Sequence, residues 1–308
     1  MSTRDDRRRF LRRFSLLSAG AGAFGAGWPR SIARAIEPVV RDGKSFFKFS
    51  LAAYSYRDLL NAKPPKQKLS LDDFIADCAT MRLDGTELTS YYFPEEPTSE
   101  YLRHLKELCF RLGLDISGTA VGNDFCHPPG AERDREIRHV KRWVDYAEIL
   151  GAPVIRIFSG HPHGTSEEEA HKLAVEAIEE CCAYSGEHGV FLALENHGGL
   201  TTTIDGIMAL VRDVKSPWFG INLDTGNFRS SDPYADVVRL APYAINVQVK
   251  VSVAPAGGQR QHADFRRLAR IMADAGYRGY IVLEFEENED AREACPRYVN
   301  EMREAFTL

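Results

Sequence analysis

The chain has no unbroken run of about 18 apolar residues, so it offers no membrane-spanning helix. It has no CxxC pair. Its six cysteines (Cys78, Cys109, Cys126, Cys181, Cys182 and Cys295) are scattered, which excludes a zinc finger or a disulfide scaffold and reads as small buried hydrophobes. Basic charge is scarce once the first 35 residues are set aside: 31 Lys and Arg face 42 Asp and Glu, a net charge of -11 against -5 for the whole chain. A body this acidic argues against nucleic acid as the main ligand, because neutralising phosphates takes clustered Lys and Arg. What is present is ordinary globular composition, 44% hydrophobic and 27% charged over 308 residues, enough for one large domain or two small ones.

The first 35 residues hold eight Arg and two Asp. They read Arg7-Arg8-Arg9-Phe10-Leu11-Arg12, then a mildly apolar Gly/Ala-rich stretch from Phe14 to Trp28, then Ala33-Arg34-Ala35, an A-x-A cleavage pattern. This layout resembles the twin-arginine export signal, whose pattern is two Arg, any residue, Phe, Leu and a basic residue. The resemblance implies a signal peptide over residues 1–35, a periplasmic mature protein, a single domain over 36–308, and a metal loaded before export.

The mature part repeats one unit: a short apolar run that ends in polar residues, followed by a helical pattern. The predicted strands are Phe49–Tyr54, Gly85–Thr89, Asp115–Val121, Pro153–Phe158, Val190–Glu195, Phe219–Asp224, Ala244–Lys250 and Tyr280–Phe285. The predicted helices are Leu71–Arg82 with Ser70 as cap and Asp73 three residues on, Glu100–Leu112 after Ser99, Glu132–Leu150, Glu167–His188 after Ser166, Ile204–Val214, Tyr234–Leu240, His262–Ala275 and Ala291–Ala305. Gly113, Gly151, Gly189 and Gly276 stand where helices should close. Eight alternations in about 260 residues predict an α/β fold, a closed (β/α)8 TIM barrel. The competing open doubly wound sheet would usually carry a glycine-rich loop after its first strand, and here that strand ends Tyr54-Ser55-Tyr56-Arg57. Residues 36–48 read equally as an ordered lead-in or a flexible arm.

In such a barrel the chemistry sits at the carboxyl ends of the strands. Strand five ends Leu194-Glu195-Asn196-His197, strand six Leu223-Asp224-Thr225-Gly226-Asn227, strand seven Val247-Gln248-Val249-Lys250 and strand eight Leu283-Glu284-Phe285-Glu286. A lone carboxylate at a strand end is usually a solvated rim residue. Several on neighbouring strands, each directly after a buried run, would repel one another, and a divalent cation such as Mn²⁺ or Mg²⁺ resolves that repulsion with oxygen ligands.

These strand ends resemble those of the sugar phosphate isomerase/epimerase family, the xylose-isomerase-like TIM barrels, from about residue 48 to 304. The resemblance implies one divalent metal ion held by Glu195, Asp224, the strand-seven residue and Glu284. The family commonly reads Val-His-Val-Lys on strand seven, where this chain has Gln248. An amide oxygen ligates more weakly than imidazole and shifts the expected metal towards Mn²⁺ or Mg²⁺, with Co²⁺ and Zn²⁺ behind. Glu195 and Glu284 would be the catalytic pair moving a proton beside a sugar carbonyl. Tyr54, Asn123, Arg156, His161, His197 and Lys250 are the candidates for binding a sugar or keto-sugar. For Arg156 an ion pair with a neighbouring carboxylate competes with substrate contact, and His127 and His163 read as surface residues of loops. The alternatives to an isomerase or epimerase are a lyase or dehydratase on keto-sugars or keto-glycosides, a sugar-binding protein without catalysis, and a DNA-repair endonuclease, which the scarcity of strand-end His disfavours. Related barrels often pair as homodimers; no interface is readable here.

Overall fold

The computed structural model describes residues 36–64 and 68–307. The export signal read over residues 1–35 lies outside the described residues. Eight parallel strands close into a barrel: β1 (Phe46–Ala52), β2 (Gly85–Thr89), β3 (Asp115–Ala120), β4 (Val154–Ile157), β5 (Phe191–Glu195), β6 (Phe219–Asp224), β7 (Ala244–Lys250) and β8 (Arg278–Glu284). Each strand pairs with its neighbours in sequence, and β1 pairs with β8 from Phe46↔Arg278 to Leu51↔Leu283, which shuts the ring. The predicted alternation is therefore the observed fold, with strand ends within a few residues.

The main helices are α1 (Leu71–Thr80), α2 (Ser99–Arg111), α3 (Ala131–Leu150), α4 (Glu167–Glu187), α5 (Ile204–Asp213), α6 (Pro233–Leu240), α7 (Phe265–Asp274) and α8 (Ala291–Phe306). Ser70 and Asp73 form the reciprocal capping box at α1. Ser166 caps α4, whose first turn carries three Glu against the positive helix end. Gly113, Gly151, Gly189 and Gly276 all hold φ between 67° and 76°, the left-handed stop that favours glycine.

Three local expectations need correction. Thr98, not Ser99, caps α2, its hydroxyl accepting from Tyr101 N–H at 3.2 Å, so Ser99 is already helical. α7 starts at Phe265 behind Asp264, because His262 belongs to a small antiparallel ribbon, Ser252–Val253 with Gln261–His262. Tyr54 lies past β1 in a 3-10 turn, Ala53–Tyr56, rather than on the strand. The segment from residue 36 to 45 is an ordered lead-in: Val39 N–H donates to Pro242 O at 2.8 Å, Arg41 donates to Ala244 O at 2.8 Å, and Arg278 donates to the carbonyls of Asp42 and Lys44.

The core is divided by chemistry. On the outer faces of the strands, Leu192, Leu194, Ile221, Leu223, Val247 and Val249 join helix residues such as Ile178, Cys182 and Ile207 in one continuous apolar cluster. Each fully buried Leu or Ile there stabilises by roughly 1.5–3 kcal/mol. All six cysteines are buried and free, as their scatter implies. The inner faces are polar: Ser50, Glu87, Ser117, Arg156, Asn222, Asn246 and Gln248 are all buried inside the ring.

The reassigned cap gives a direct check. Thr98→Ala should lower stability by about 1 kcal/mol through loss of the cap, whereas Ser99→Ala should be near neutral. Urea denaturation of the two variants measures the difference.

Candidate functional site

At the carboxyl end of the barrel, Glu195, Asp224 and Glu284 converge. One carboxylate oxygen from each lies within 4.8 Å of the others, and all three residues are buried. The local sequence explains how they are held. The ends of β5 and β6 are tied by Asn196, which donates to Asp224 O and accepts from Asp224 N–H, both at 2.8 Å. Asp224 Oδ1 accepts from Gly226 N–H at 2.8 Å. Gly226 must be glycine for space: a Cβ there would stand 2.5 Å from the Lys250 side chain. Asn227 donates to Glu195 Oε1 at 2.9 Å.

Two buried cations face these carboxylates. Arg156 Nε stands 3.0 Å from Glu195 Oε2 as an ion pair without hydrogen-bond alignment; its Nη1 donates to Val121 O at 2.8 Å, and its guanidinium lies over the Phe158 ring. The ion-pair role weighed for Arg156 is thus present. Lys250 Nζ lies 2.5 Å from Glu284, 2.8 Å from Glu286 and 3.4 Å from Asp224. The β7–β8 register makes this possible by setting Lys250 opposite Glu284.

Gln248 is placed differently from the expected ligand set. Its amide nitrogen donates to Glu87 Oε1 at 2.7 Å and its amide oxygen accepts from Asn222 at 2.6 Å. Asn246 donates to Glu87 Oε2 at 2.9 Å and to Asn222 Oδ1 at 2.8 Å. Both ends of the Gln248 amide are therefore engaged in a buried network with Glu87, Asn222 and Asn246. Two register shifts build it: one between Thr86 and Glu87, which sets Glu87 opposite Gly118, and one between Ile221 and Asn222, which sets Asn222 opposite Asn246. Glu87 was not singled out from the sequence, although a glutamate in the middle of a five-residue buried strand was the available signal.

A cavity of about 170 Å³ opens above the carboxylates, lined by Tyr54, Tyr91, Arg156, Phe158, Glu195, His197, Lys250, Glu284 and Glu286. Six of the candidates, Tyr54, Arg156, Glu195, His197, Lys250 and Glu284, line it. Asn123 is occupied elsewhere: it donates to Phe158 O at 2.8 Å and accepts from Phe158 N–H at 2.9 Å, fastening β3 to β4. His161 is exposed, with its ring beside Gly198 rather than in the cavity lining. Tyr91, expected at the end of strand two, lines the cavity as well, and Glu286, Phe158 and the Glu195 partner Asn227 complete the site.

The electrostatics are those of an acidic pit. Burial, partly offset by Arg156 and reinforced by Asp224 and Glu284, holds the Glu195 carboxyl well above the ordinary range. Burial pushes Asp224 up to about 7 despite Lys250, and pushes Glu87 up to about 7. Glu284 is pushed up by burial too, but the charge and hydrogen bond of Lys250 outweigh this and leave it below the ordinary range. Burial, with Arg156 and Lys250 nearby, lowers His197. If Glu87, Glu195, Asp224, Glu284 and Glu286 were all ionised they would exceed Arg156 and Lys250 by three negative charges. A divalent cation fits this set. Three hard oxygen ligands converge on one spot, Asp224 Oδ2 is buried with no hydrogen-bond partner, and negative charge is in excess. Glu195, Asp224 and Glu284 would hold the ion; Gln248 supports Glu87 in the layer beneath.

Two outcomes follow. Gln248→Leu should destabilise the protein by about 1–3 kcal/mol, because it strips a donor from buried Glu87 and orphans the Asn222 amide. It should leave the affinity for Mn²⁺ unchanged in a calorimetric titration. For the metal-free protein, Glu87 binds its proton more tightly folded than unfolded, so its contribution is full below the ordinary Glu pKa and is lost as pH rises towards about 7. Denaturation midpoints of stripped protein across that window should fall less steeply for Glu87→Gln than for the wild type.

Among proteins of known structure, the chain is similar to D-psicose 3-epimerase from Clostridium cellulolyticum H10, solved with D-tagatose, at 14% identity and TM-score 0.70, covering 85% of this chain and 100% of that one. It is also similar to 3-keto-D-glucoside 4-epimerase from E. coli at 14% identity and TM-score 0.65, covering 84% and 99%. A third is the probable 3-DHS dehydratase involved in petrobactin synthesis from Bacillus anthracis, at 18% identity and TM-score 0.64, covering 83% and 98%. At these identities the likeness speaks for the fold. No curated protein matches the sequence. The family model described as xylose isomerase-like TIM barrel matches residues 75–301, most of the chain. With the closed parallel ring and the acidic pit at its carboxyl end, that match establishes that this chain belongs to the xylose isomerase-like TIM barrel family.

Proposed function

We propose that the protein is a metal-dependent isomerase or epimerase of a small sugar or keto-sugar, with Glu195 and Glu284 as the proton-transferring pair. The observation that carries this reading is the convergence of Glu195, Asp224 and Glu284 under a small cavity that also holds two buried cations. The cavity lies below the roughly 300–1,000 Å³ of drug-sized pockets, which favours a single sugar unit. Tyr54, Tyr91 and Phe158 supply an apolar wall for a sugar face, and Lys250, Arg156 and His197 supply polar edges. Sugar epimerases among the structural neighbours agree with this substrate class.

A divalent cation bound by the three carboxylates, with Mn²⁺ as the first candidate, would polarise the substrate carbonyl and stabilise negative charge on its oxygen. The remaining work falls to the chain. β5 and β8 are three strands apart in the ring, so Glu195 and Glu284 approach a bound substrate from different sides. One carboxylate takes the proton from the carbon beside the carbonyl, and the C–H electron pair moves to form an enediolate. The other carboxyl returns a proton, to the opposite face of the same carbon in an epimerase or to the adjacent carbon in an isomerase. Arg156 and Lys250 keep the pair oriented and offset their charge. Export, as read from residues 1–35, would favour a free rather than a phosphorylated sugar.

Elimination is the second reading, suggested by the dehydratase neighbour. It shares the first proton abstraction, but the electron pair then expels a leaving group, and the proton goes to the departing oxygen instead of carbon. Released aglycone or water would distinguish it.

The test is proton exchange. Ketohexoses and 3-keto-glycosides incubated with the metal-loaded protein in D₂O should acquire deuterium beside the carbonyl. Glu195→Gln and Glu284→Gln should each slow this by at least about 100-fold, the low end for losing a positioned acid or base. Full turnover in both variants would overturn the assignment. Metal content of each variant, measured in parallel, separates loss of the base from loss of the ion.

A further inference from the structure

A second convergence of metal-ligating side chains lies in the loops that follow β3 and β4, away from the three carboxylates. Asp124, His127 and His163 each offer one ligand atom within 4.8 Å of the other two. His163 Nε2 is 2.9 Å from Asp124 Oδ2. The His127 and His163 rings are stacked face to face, with centroids 3.8 Å apart and planes 9° apart. The stack brings ring nitrogens from two different loops to one place beside a carboxylate.

The surroundings fix these groups as a metal centre does. Asp124 accepts from Cys126 N–H at Oδ1, 2.9 Å, and from His161 N–H at Oδ2, 3.2 Å. Gly160 has φ +100°, and a Cβ on it would lie 1.9 Å from Asp124 Oδ1, so the close approach of the two loops depends on that glycine. Phe125 N–H donates to Ser159 O at 3.0 Å, and the paired bonds of Asn123 with Phe158 hold the loop bases together. Glu132 Oε2 stands 3.5 Å from His127 Nδ1, near enough to serve as the outer carboxylate that metal-binding histidines use once an ion orients the ring. The side chains of His127, Asp124 and His163 are 17%, 23% and 37% exposed, so an ion can reach them while water is partly excluded.

We propose that Asp124, His127 and His163 form a second metal site, selective for a borderline divalent ion such as Zn²⁺, that clips the β3 and β4 loops together at the barrel rim. Two imidazoles and one carboxylate are the donor set such an ion prefers, with a fourth position open to solvent or a ligand hydroxyl. The all-oxygen site formed by Glu195, Asp224 and Glu284 suits harder ions, so the two sites should sort different metals. This proposal does not depend on the reaction proposed above.

The test uses the full chain, stripped with chelator and titrated with Zn²⁺ by calorimetry and with Co²⁺ by visible absorption. A Glu195→Ala/Asp224→Ala variant isolates the loop site and should still bind one Zn²⁺ and give the intense visible bands of low-coordinate Co²⁺. Adding His163→Ala should weaken that binding by at least about 100-fold, since losing even a supporting residue costs 10–100-fold. Glu132→Gln should weaken it by roughly tenfold. Equal Zn²⁺ affinity with and without His163, or no Zn²⁺ bound by the Glu195→Ala/Asp224→Ala chain with a native circular dichroism spectrum, would overturn the proposal. His163 is exposed, so its replacement leaves the fold intact for the comparison.

Discussion

The balance of charge inside the ring governs everything else in this structure. Glu87, Glu195, Asp224 and Glu284 are buried carboxylates, and among the described residues only Arg156 and Lys250 stand against them from buried positions. An unpaired buried carboxylate is far more expensive than a lost apolar contact, so each must find partners before the barrel can be stable. The lower one, Glu87, is met by amides: Gln248 and Asn246 donate to its two oxygens. The upper three are met only in part, by Arg156, Lys250 and Asn227, and the shortfall leaves the upper layer with negative charge in excess. The ring thus separates a neutralised lower layer from an acidic upper one across a single strand step.

That separation explains what could be read from the sequence and what could not. The eight strands were legible because parallel strands covered by helices are apolar on one face and crowded on the other, so several runs stop abruptly at a carboxylate: Leu194 before Glu195, Leu223 before Asp224, Leu283 before Glu284. The helix stops were legible because the left-handed turn at Gly151 or Gly189 strongly favours glycine. The direction in which a polar side chain leans was not legible. Gln248 sits one alternation below Lys250 on the same inner face, and its amide turns to Glu87 because a buried carboxylate on the far side of the ring needs donors. Glu87 lies about 160 positions away in sequence, and two register shifts place it, which no local pattern announces.

The rim loops show the same limit. Asn123 looked like a sugar-binding amide, but both its polar atoms are consumed in fastening Phe158. His127 and His163 looked like unrelated surface residues, and they stack because Gly160 lets their loops approach. In both cases the residue type was informative, and the partner was set by tertiary contact between loops that are strangers in sequence.

The closing seam carries a consequence of another kind. β1 and β8 meet edge to edge, and Arg57 just past β1 donates to Phe285 O across 228 positions of chain. Until the last strand docks, β1 has a bare edge and the acidic interior is open to water on one side. Closing a loop that long is slow, and a ring with unpaired edges is the kind of species that associates with other chains. The contact that completes the geometry of the pit is therefore also the one that removes the bare edge of β1.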